Sequence, residues 1–189
     1  MEVVHTLQPG AFTLADLDEL PDDGMRYELV DGQLLVTPAP LAIHQRVAGH
    51  LFVRLLDGCP EDLEVFFAPF DFRPSKQRSL QPDLLVCRAE DVRPKGVEFC
   101  PLLLAVEILS PSTRMTDLLL KRGLYEEAGV TSYWLIDPEA ETLTALELVD
   151  GVYLERAAVK AGETFRADLP FPVEISPSEL VQKVNRSAG

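Results

Sequence analysis

The sequence predicts a mixed α/β fold, in which helices pack on a central sheet. Apolar residues recur every four positions between residues 43 and 57, as is typical of a helix packed against a core. Residues 101–109 form an apolar run of the kind found in a strand that is buried on both faces. Two Asp-Gly pairs, at 31–32 and 150–151, lie between apolar segments and predict β-hairpins.

Local signals set the ends of the predicted elements. Thr13 and Asp16 form a capping pattern at a helix start, Pro69 indicates an edge or a bulge in a strand, and Gly129 ends the central helix. The predicted elements are a helix over 13–20, a turn over 21–24, a hairpin over 26–37, a helix over 43–57, a strand over 63–73, a loop over 74–81, a strand over 84–87, a connector over 89–100, a strand over 101–109, a helix over 113–128, a strand over 131–137, a hairpin over 142–158 and a helix over 176–184. This order predicts one domain over residues 1–189, with an N-terminal hairpin.

The composition is that of an ordinary globular protein, with 47% hydrophobic and 25% charged residues. No apolar run approaches the ~20 residues of a membrane-spanning helix, and the N-terminus lacks the pattern of a signal peptide. Three cysteines show no metal-ligand spacing. We therefore expect a cytoplasmic protein without a membrane partner, in which the thiols are small packing groups.

The net charge of −14 bears on the choice of partner. A protein that grips duplex DNA along its phosphates usually presents a basic face. A nucleic-acid function would therefore require a local basic patch or bound cations. Five residues are candidates for such a patch: Arg73, Lys76 and Arg78 in one predicted loop, with Arg114 and Arg122 near the central helix.

The strongest functional signal is Glu107, the one carboxylate within the apolar run 101–109. An ionised carboxylate in a buried strand is costly unless a cation or hydrogen-bond donors meet it. Asp83 opens another short apolar strand, and Glu28 precedes the first Asp-Gly turn. One or two carboxylates, completed by waters and phosphate oxygens, are the usual protein ligands of Mg²⁺. Asp83 and Glu107 could supply that pair, and the carbonyl of Ile108 a third oxygen.

Lys121 on the following helix lies about as far from the junction between strand and helix as Glu107 does. Glu107 is three residues from a strand end near Ser110, or about 10 Å. Lys121 is eight residues into a helix that starts near Thr113, or about 12 Å. Its ammonium could thus reach a metal-bound water or a phosphate near Glu107. Asp117 and Tyr125 lie on the same helical stripe and could orient it.

The sequence resembles the Uma-type restriction endonucleases of bacteria, within the PD-(D/E)XK nuclease superfamily. The matching pieces, in order, are Tyr-Glu-Leu-Val-Asp-Gly at 27–32, His44 at a helix start, Pro-Asp-Leu-Leu-Val at 82–86, Val-Glu-Ile-Leu-Ser-Pro-Ser-Thr at 106–113, Lys121, and Gly-Val-Thr-Ser-Tyr-Trp-Leu-Ile-Asp-Pro at 129–138. Each piece alone is weak, but the ordered set is specific. The sequence departs from the superfamily pattern at Leu109, which stands where a lysine normally follows the glutamate.

The resemblance implies a restriction-endonuclease-like fold and Mg²⁺- or Mn²⁺-dependent hydrolysis of DNA. Asp83 and Glu107 would hold the metal, with Glu28 beside them, binding it directly or through water. Lys121 would replace the lysine missing at position 109, and His44 is a weaker candidate near the site. Superfamily members often pair, and the apolar stretch 65–72 is a candidate homodimer contact.

Plainer interpretations compete with each assignment. Asp83 after a proline is common at a turn, and Lys121 with Asp117 could be an exposed helical ion pair. Glu107 is the hardest to explain as a structural residue. Two alternative functions remain open: an inactive nuclease-fold module for binding or assembly, which Leu109 favours, and a metal-dependent hydrolase of a small phosphate compound, which the acidic charge favours.

Overall fold

The computed structural model describes residues 5–8, 12–21, 23–37, 39–111 and 113–183. Asp22 of the predicted turn, Ser112 of the 106–113 motif and Val184 of the predicted C-terminal helix lie outside the described residues. The helices are α1 (Leu14–Asp18), α2 (Ala42–Gly58), α3 (Arg122–Glu127) and α4 (Pro177–Val181), with a 3₁₀ turn at Ala89–Asp91 and a π-helical segment at Thr116–Lys121 that runs into α3. None of the described helices is long and apolar enough to cross a membrane.

The described strands form two large sheets and one small one. The strands are β1 (His5–Gln8), β2 (Arg26–Val30), β3 (Gln33–Thr37), β4 (Leu63–Phe67), β5 (Asp71–Ser75), β6 (Arg78–Leu80), β7 (Leu84–Arg88), β8 (Val92–Arg93), β9 (Gly96–Glu98), β10 (Leu104–Ile108), β11 (Ser132–Asp137), β12 (Thr142–Val149), β13 (Val152–Val159), β14 (Phe165–Ala167) and β15 (Val173–Ile175). Within the described residues, one sheet has the order β1-β3-β2-β6-β5-β9-β8 and the second the order β13-β12-β11-β10-β7-β4, while β14 pairs with β15. The architecture is the predicted mixed α/β fold, although its strands divide between sheets rather than forming one.

The predicted hairpins are confirmed, and each predicted helix is present, although the C-terminal helix ends at Val181 and the central one is π-helical over Thr116–Lys121. Asp31 and Gly32 have φ of 49° and 80°, and Asp150 and Gly151 have φ of 51° and 81°. Positive φ at both central residues is the signature of the two-residue turns whose twist suits a hairpin. Thr13 caps α1 in a capping box with Asp16, and α2 and β10 lie where the apolar patterns place them.

Two predictions between residues 63 and 81 are wrong. The predicted strand 63–73 is divided, because Pro69 lacks an N–H and the chain leaves one sheet for the other there. Its first part, β4, is an edge strand as Pro69 indicated. The predicted loop 74–81 is instead paired, with Phe72 opposite Leu80 and a register shift that accommodates Pro74.

Alternate residues of β10 face two different layers of the molecule. Val106 and Ile108 pack in the core beneath α2, whereas Ala105 and Leu109 pack in the core that includes Leu124 of α3. Because side chains alternate along a strand, Glu107 shares the α3 face with Ala105 and Leu109. The strand therefore directs the carboxylate of Glu107 toward the helix that carries Lys121.

The apolar stretch 65–72 is only partly available to a partner. Val65 and Phe72 are buried within the chain itself, whereas Phe67 is 56% exposed. Phe66 stacks on Phe70 with ring centroids 4.0 Å apart. Most of this stretch is therefore packed against other parts of the same chain. The homodimer stays a prediction.

Candidate functional site

A narrow cavity lies where the two large sheets approach each other. It contains about 50 Å³ of internal space, enough for a few waters at roughly 10–15 Å³ each. Its described lining includes six of the residues singled out from the sequence: Glu28, His44, Asp83, Glu107, Asp117 and Lys121. Residues far apart in the chain are thus brought together by the fold.

The seven-stranded sheet contributes Glu28 and Arg26 to this cavity. The two residues lie two positions apart on β2, so their side chains share one face of the strand. Glu28 is almost fully buried, and its Oε1 accepts a hydrogen bond of 2.7 Å from the backbone N–H of Gln81. Arg26 reaches the other sheet, where its Nη1 donates to Asp83 Oδ1 at 2.9 Å.

Asp83 is held by donors on both of its oxygens. Oδ1 faces Arg26, while Oδ2 accepts a 2.8 Å bond from the backbone N–H of Ile108 and lies 2.8 Å from His44 Nε2. Burial alone would raise the pKa of Asp83. The hydrogen bond with His44 and the charge of Arg26 outweigh burial and hold this pKa below its ordinary range.

The six-stranded sheet and the helix meet at Glu107 and Lys121. Lys121 Nζ lies 2.9 Å from Glu107 Oε1 and 3.1 Å from Glu28 Oε1. Tyr125, one helical turn further on, donates its hydroxyl to the same Glu107 oxygen at 2.7 Å. The lysine therefore joins carboxylates from both sheets at one point.

Carboxylates outnumber cations in this buried space, and the pKa values reflect that imbalance. Burial raises the pKa of Glu107 well above its ordinary value against the attraction of Lys121, and it raises the pKa of Asp117 to about 6. Burial would lower the pKa of Lys121, but Glu107, Glu28 and Asp117 raise it above the ordinary value. Lys121 therefore stays charged, and a proton taken up here would go to Glu107 or Asp117.

The segment that carries Lys121 has an irregular helical geometry. Thr116–Lys121 is π-helical before the chain continues as α3, and such segments occur often at functional sites. Asp117 and Lys121 both lie in this segment, with their charged atoms 3.8 Å apart. The backbone carbonyl of Asp117 accepts a 2.9 Å hydrogen bond from Tyr133 of β11, which fixes the turn against the sheet.

Leu109, the position at which the sequence pattern lacks its lysine, is part of the apolar core. Its side chain is 8% exposed and packs with Leu124 and Tyr125 under α3. A lysine at position 109 would place an ammonium in this apolar layer, which is unfavourable. Lys121 instead approaches Glu107 from the helix that covers the layer.

The charge of the cavity lining is one that a divalent cation would stabilise. Four carboxyl groups and two permanently basic side chains line the cavity, so a divalent cation would offset the surplus negative charge. Among the described residues, no three His, Cys, Asp or Glu side chains are already arranged around a common metal position. Mg²⁺ needs only one or two protein carboxylates with waters. To bind it, Asp83 and Glu107 would give up some of their present contacts with basic side chains.

Arg26 and Gln81 are site residues that the sequence analysis missed. The signal for Arg26 was available, because it lies two positions before Glu28 in a predicted strand and so shares its face. Gln81 acts through its backbone N–H, which any residue except proline could supply. Ile108 likewise contacts Asp83 through its N–H, and its carbonyl as a metal ligand stays a prediction.

The predicted basic patch does not form. Arg73 pairs with Asp18 and Asp71, and Arg78 pairs with Asp31 and Glu127, in each case within 2.7 Å. Arg114 pairs with Asp137 at 2.6 Å and, with Arg122, lines a separate depression. Of the five candidates, Lys76 on an exposed turn and Arg122 form no ion pair within the described part of the chain, and Arg122 donates instead to the backbone carbonyl of Tyr153 at 3.3 Å.

Comparison with known proteins agrees with this architecture. Residues 14–181 match the model of the Uma2 family, described as "Putative restriction endonuclease". The fold is similar to the crystal structure of "a putative nuclease belonging to DUF820" from Anabaena variabilis ATCC 29413, with a TM-score of 0.68 and 18% identity over 90% of this chain and 97% of that chain. A likeness at that identity shows the fold alone. A search among curated proteins found no match.

Proposed function

This chain belongs to the Uma2 family, described as "Putative restriction endonuclease", and we propose that it is a divalent-metal-dependent enzyme that hydrolyses phosphodiester bonds in DNA. One observation carries the proposal: Lys121 is buried in an acidic cavity within 3.1 Å of carboxylates from two different sheets. A buried lysine paired with several carboxylates is a costly arrangement for a purely structural role. Perturbed charges in a cleft mark functional sites.

Asp83 and Glu107 are the residues that would hold Mg²⁺ or Mn²⁺, with Glu28 beside them and the Ile108 carbonyl as a further oxygen. When bound, the metal would polarise a phosphoryl oxygen and lower the pKa of a coordinated water. The chain's own part is to supply oxygens of fixed position. Ile108 and His44 hold one Asp83 oxygen and Arg26 holds the other, so this carboxylate is kept ionised and oriented.

Lys121 would act as a charged hydrogen-bond donor and not as a base. Glu107, Glu28 and Asp117 raise its pKa, so it keeps its proton at any ordinary pH. Its Nζ would donate to the attacking water or to a phosphate oxygen and stabilise the charge that develops on phosphorus. Tyr125 is a positioning residue, since its hydroxyl orients Glu107.

A second candidate function is hydrolysis of a small phosphate compound. It is favoured by the ion pairs that engage Arg73, Arg78 and Arg114. A long duplex needs free cations to replace its counterions, whereas a small ligand needs only those at the cavity. An inactive binding module, the third interpretation, is favoured by the contacts that already occupy Asp83.

The test compares the wild type with Glu107→Ala, Lys121→Ala and the exposed control Lys76→Ala. Mg²⁺ and Mn²⁺ binding is measured by calorimetry, and cleavage of plasmid DNA and hydrolysis of a nitrophenyl phosphodiester are measured alongside. We expect Glu107→Ala to lose metal binding and cleavage, and Lys121→Ala to keep metal binding but lose cleavage by about 100-fold or more. Wild-type protein that binds neither ion would overturn the metal-dependent function. Hydrolysis of the small diester alone would favour the second candidate.

A further inference from the structure

A second and larger cavity adjoins the carboxylate cavity. The two share Arg26, Ala39 and Pro40 as a common wall. The second contains about 410 Å³ against about 50 Å³ for the first, and a pocket of about 300–1,000 Å³ is the usual size for a small organic ligand. A substrate with a phosphate at the carboxylates would therefore place its neighbouring chemical group in this larger space.

The adjoining cavity is electrically balanced among the residues described. Its two cations are engaged, Arg26 with Asp83 at 2.9 Å, and Arg73 with Asp18 and Asp71 at 2.6 and 2.7 Å. The same contacts occupy the carboxylates of Asp18 and Asp71, which line the cavity as well. A neutral group is thus a better occupant than a second phosphate, which would need a free cation.

The walls combine apolar and aromatic surface with side-chain amides. Leu20, Met25 and Tyr27 are among the lining residues, and Gln45 and Gln81 supply the amides. Tyr27 is held by a 2.8 Å hydrogen bond from its hydroxyl to Asp23. Apolar and aromatic walls with amide groups are suited to an aromatic ring whose edge carries hydrogen-bonding groups.

Gln81 joins this cavity to the carboxylate cavity. Its backbone N–H holds Glu28 at 2.7 Å, and its side-chain Nε2 donates to Asp71 Oδ1 at 2.8 Å. A carboxylate only accepts, so the amide nitrogen must face Asp71 and Oε1 must face away from it. Among the described residues this buried Oε1 has no partner, and a small rotation of the amide would offer it to a ligand N–H.

We propose that the adjoining cavity binds an unpaired nucleobase next to the scissile phosphate, with stacking on Tyr27 and a hydrogen bond from the base to Gln81 Oε1. This inference rests on the proposed nuclease function for its biological meaning. A base can enter such a cavity only when it is unstacked from its neighbours. The preferred substrate is then single-stranded DNA, or duplex DNA with a displaced base, and not an uninterrupted duplex.

The first experiment needs no catalysis. Deoxyadenosine and deoxycytidine are titrated into the full chain in EDTA, with deoxyribose 5-phosphate as a ligand that lacks a base, and the side-chain amide signal of Gln81 is followed by NMR. We expect both nucleosides to shift this signal and the sugar phosphate to leave it unchanged. Tyr27→Leu and Gln81→Met should each weaken nucleoside binding on the order of tenfold, and the exposed control Gln77→Met should not.

The second experiment compares cleavage of a single strand with cleavage of its duplex. The rate of single-strand cleavage divided by the rate of duplex cleavage should exceed one in the wild type and fall toward one in Tyr27→Leu and Gln81→Met. Melting temperatures confirm that all variants are folded. DNA cleavage without nucleoside binding, and with an unchanged ratio, would overturn the base site while leaving the nuclease function intact. Nucleoside binding without any DNA cleavage would keep the base site and overturn the nuclease function.

Discussion

Lys121 Nζ lies 2.9 Å from Glu107 Oε1, although the two residues are on different elements and 14 positions apart in the chain. Each of them is almost fully buried. The pair contributes little net stability by itself, because both charges leave water. The pair matters because the loss of one partner would leave the other charge buried without a partner, which is strongly unfavourable.

Removing the lysine should expose that cost. We expect Lys121→Met to lose roughly 3–5 kcal/mol of unfolding free energy, because Glu107 and Glu28 keep their burial without their cation. The double variant Lys121→Met/Glu107→Gln should recover part of this loss. Urea unfolding at neutral pH without metal measures the wild type, the single variants Lys121→Met and Glu107→Gln, and the double variant. Lys76→Met is the exposed control. Additive losses in the double variant would show that the two side chains are not coupled.

Asp117 predicts a pH dependence of stability with a definite sign. Its pKa rises from the ordinary 3.8 to about 6 in the folded chain, so the folded state binds this proton more tightly than the unfolded state. Stability from this group is complete below about pH 4 and is lost as pH rises through 6. Asp117→Asn imitates the protonated form. Its unfolding free energy should therefore rise relative to that of the wild type across this pH range, by up to roughly 3 kcal/mol.

The measurement for Asp117 is urea unfolding at several pH values from 4.5 to 7.5, in EDTA and low salt. Asp57→Asn, at an exposed position of α2, is the matched control and should show no such trend. A difference between wild type and Asp117→Asn that shrinks as pH rises would contradict the buried-carboxylate explanation.

A divalent cation should stabilise the wild type at neutral pH. The cavity holds more carboxylates than cations, and a ligand that binds only the folded state raises its stability. At ten times the dissociation constant, Mg²⁺ or Mn²⁺ should raise the melting temperature by roughly 3–5 °C. Glu107→Gln and Asp83→Asn should abolish this increment, and Glu61→Gln, at an exposed position, should keep it. An equal increment in all four proteins would indicate binding elsewhere.

Two glycine substitutions should have opposite effects on stability. A Cβ on Gly96 would lie 2.1 Å from the carbonyl oxygen of Asp71, at a φ of +146°. Gly96→Ala should therefore cost roughly 2–5 kcal/mol. A Cβ on Gly123 in α3 would meet nothing within 4 Å. Gly123→Ala should therefore raise the unfolding free energy by about 0.5–1 kcal/mol. Thermal unfolding distinguishes the two, and a tolerated Gly96→Ala would require that β5 and β9 shift apart.

The sequence was most informative where local chemistry permits few conformations. Asp-Gly pairs demand positive φ, and both hairpins are present. Glu107 could be singled out because a carboxylate in an apolar strand needs a partner. The depth argument for Lys121 relied on the constant rise of helices and strands, and the structure places its ammonium next to that carboxylate.

Features that depend on distant partners were less accessible. The polar segment 74–81 read as a loop because it lacks the apolar alternation of a strand, yet β5 and β6 pair with each other and are flanked by β9 and β2. Arg26 went unnoticed because its value to the site comes from Asp83, 57 positions away. Arg73 and Arg78 looked available for DNA, but their carboxylate partners come from other elements, among them Asp18 and Asp31. The strands β14 and β15 are short and were not predicted.

The division of the site between two sheets has a consequence for the newly synthesised chain. Glu28 and Arg26 belong to the seven-stranded sheet, whereas Glu107 belongs to the six-stranded one, and Lys121 arrives on a later helix. Neither sheet alone carries a complete set of these groups. A partly folded chain that has only one of the two sheets would therefore lack a complete set of these groups, and the proposed hydrolysis would begin only after the last of these parts has docked.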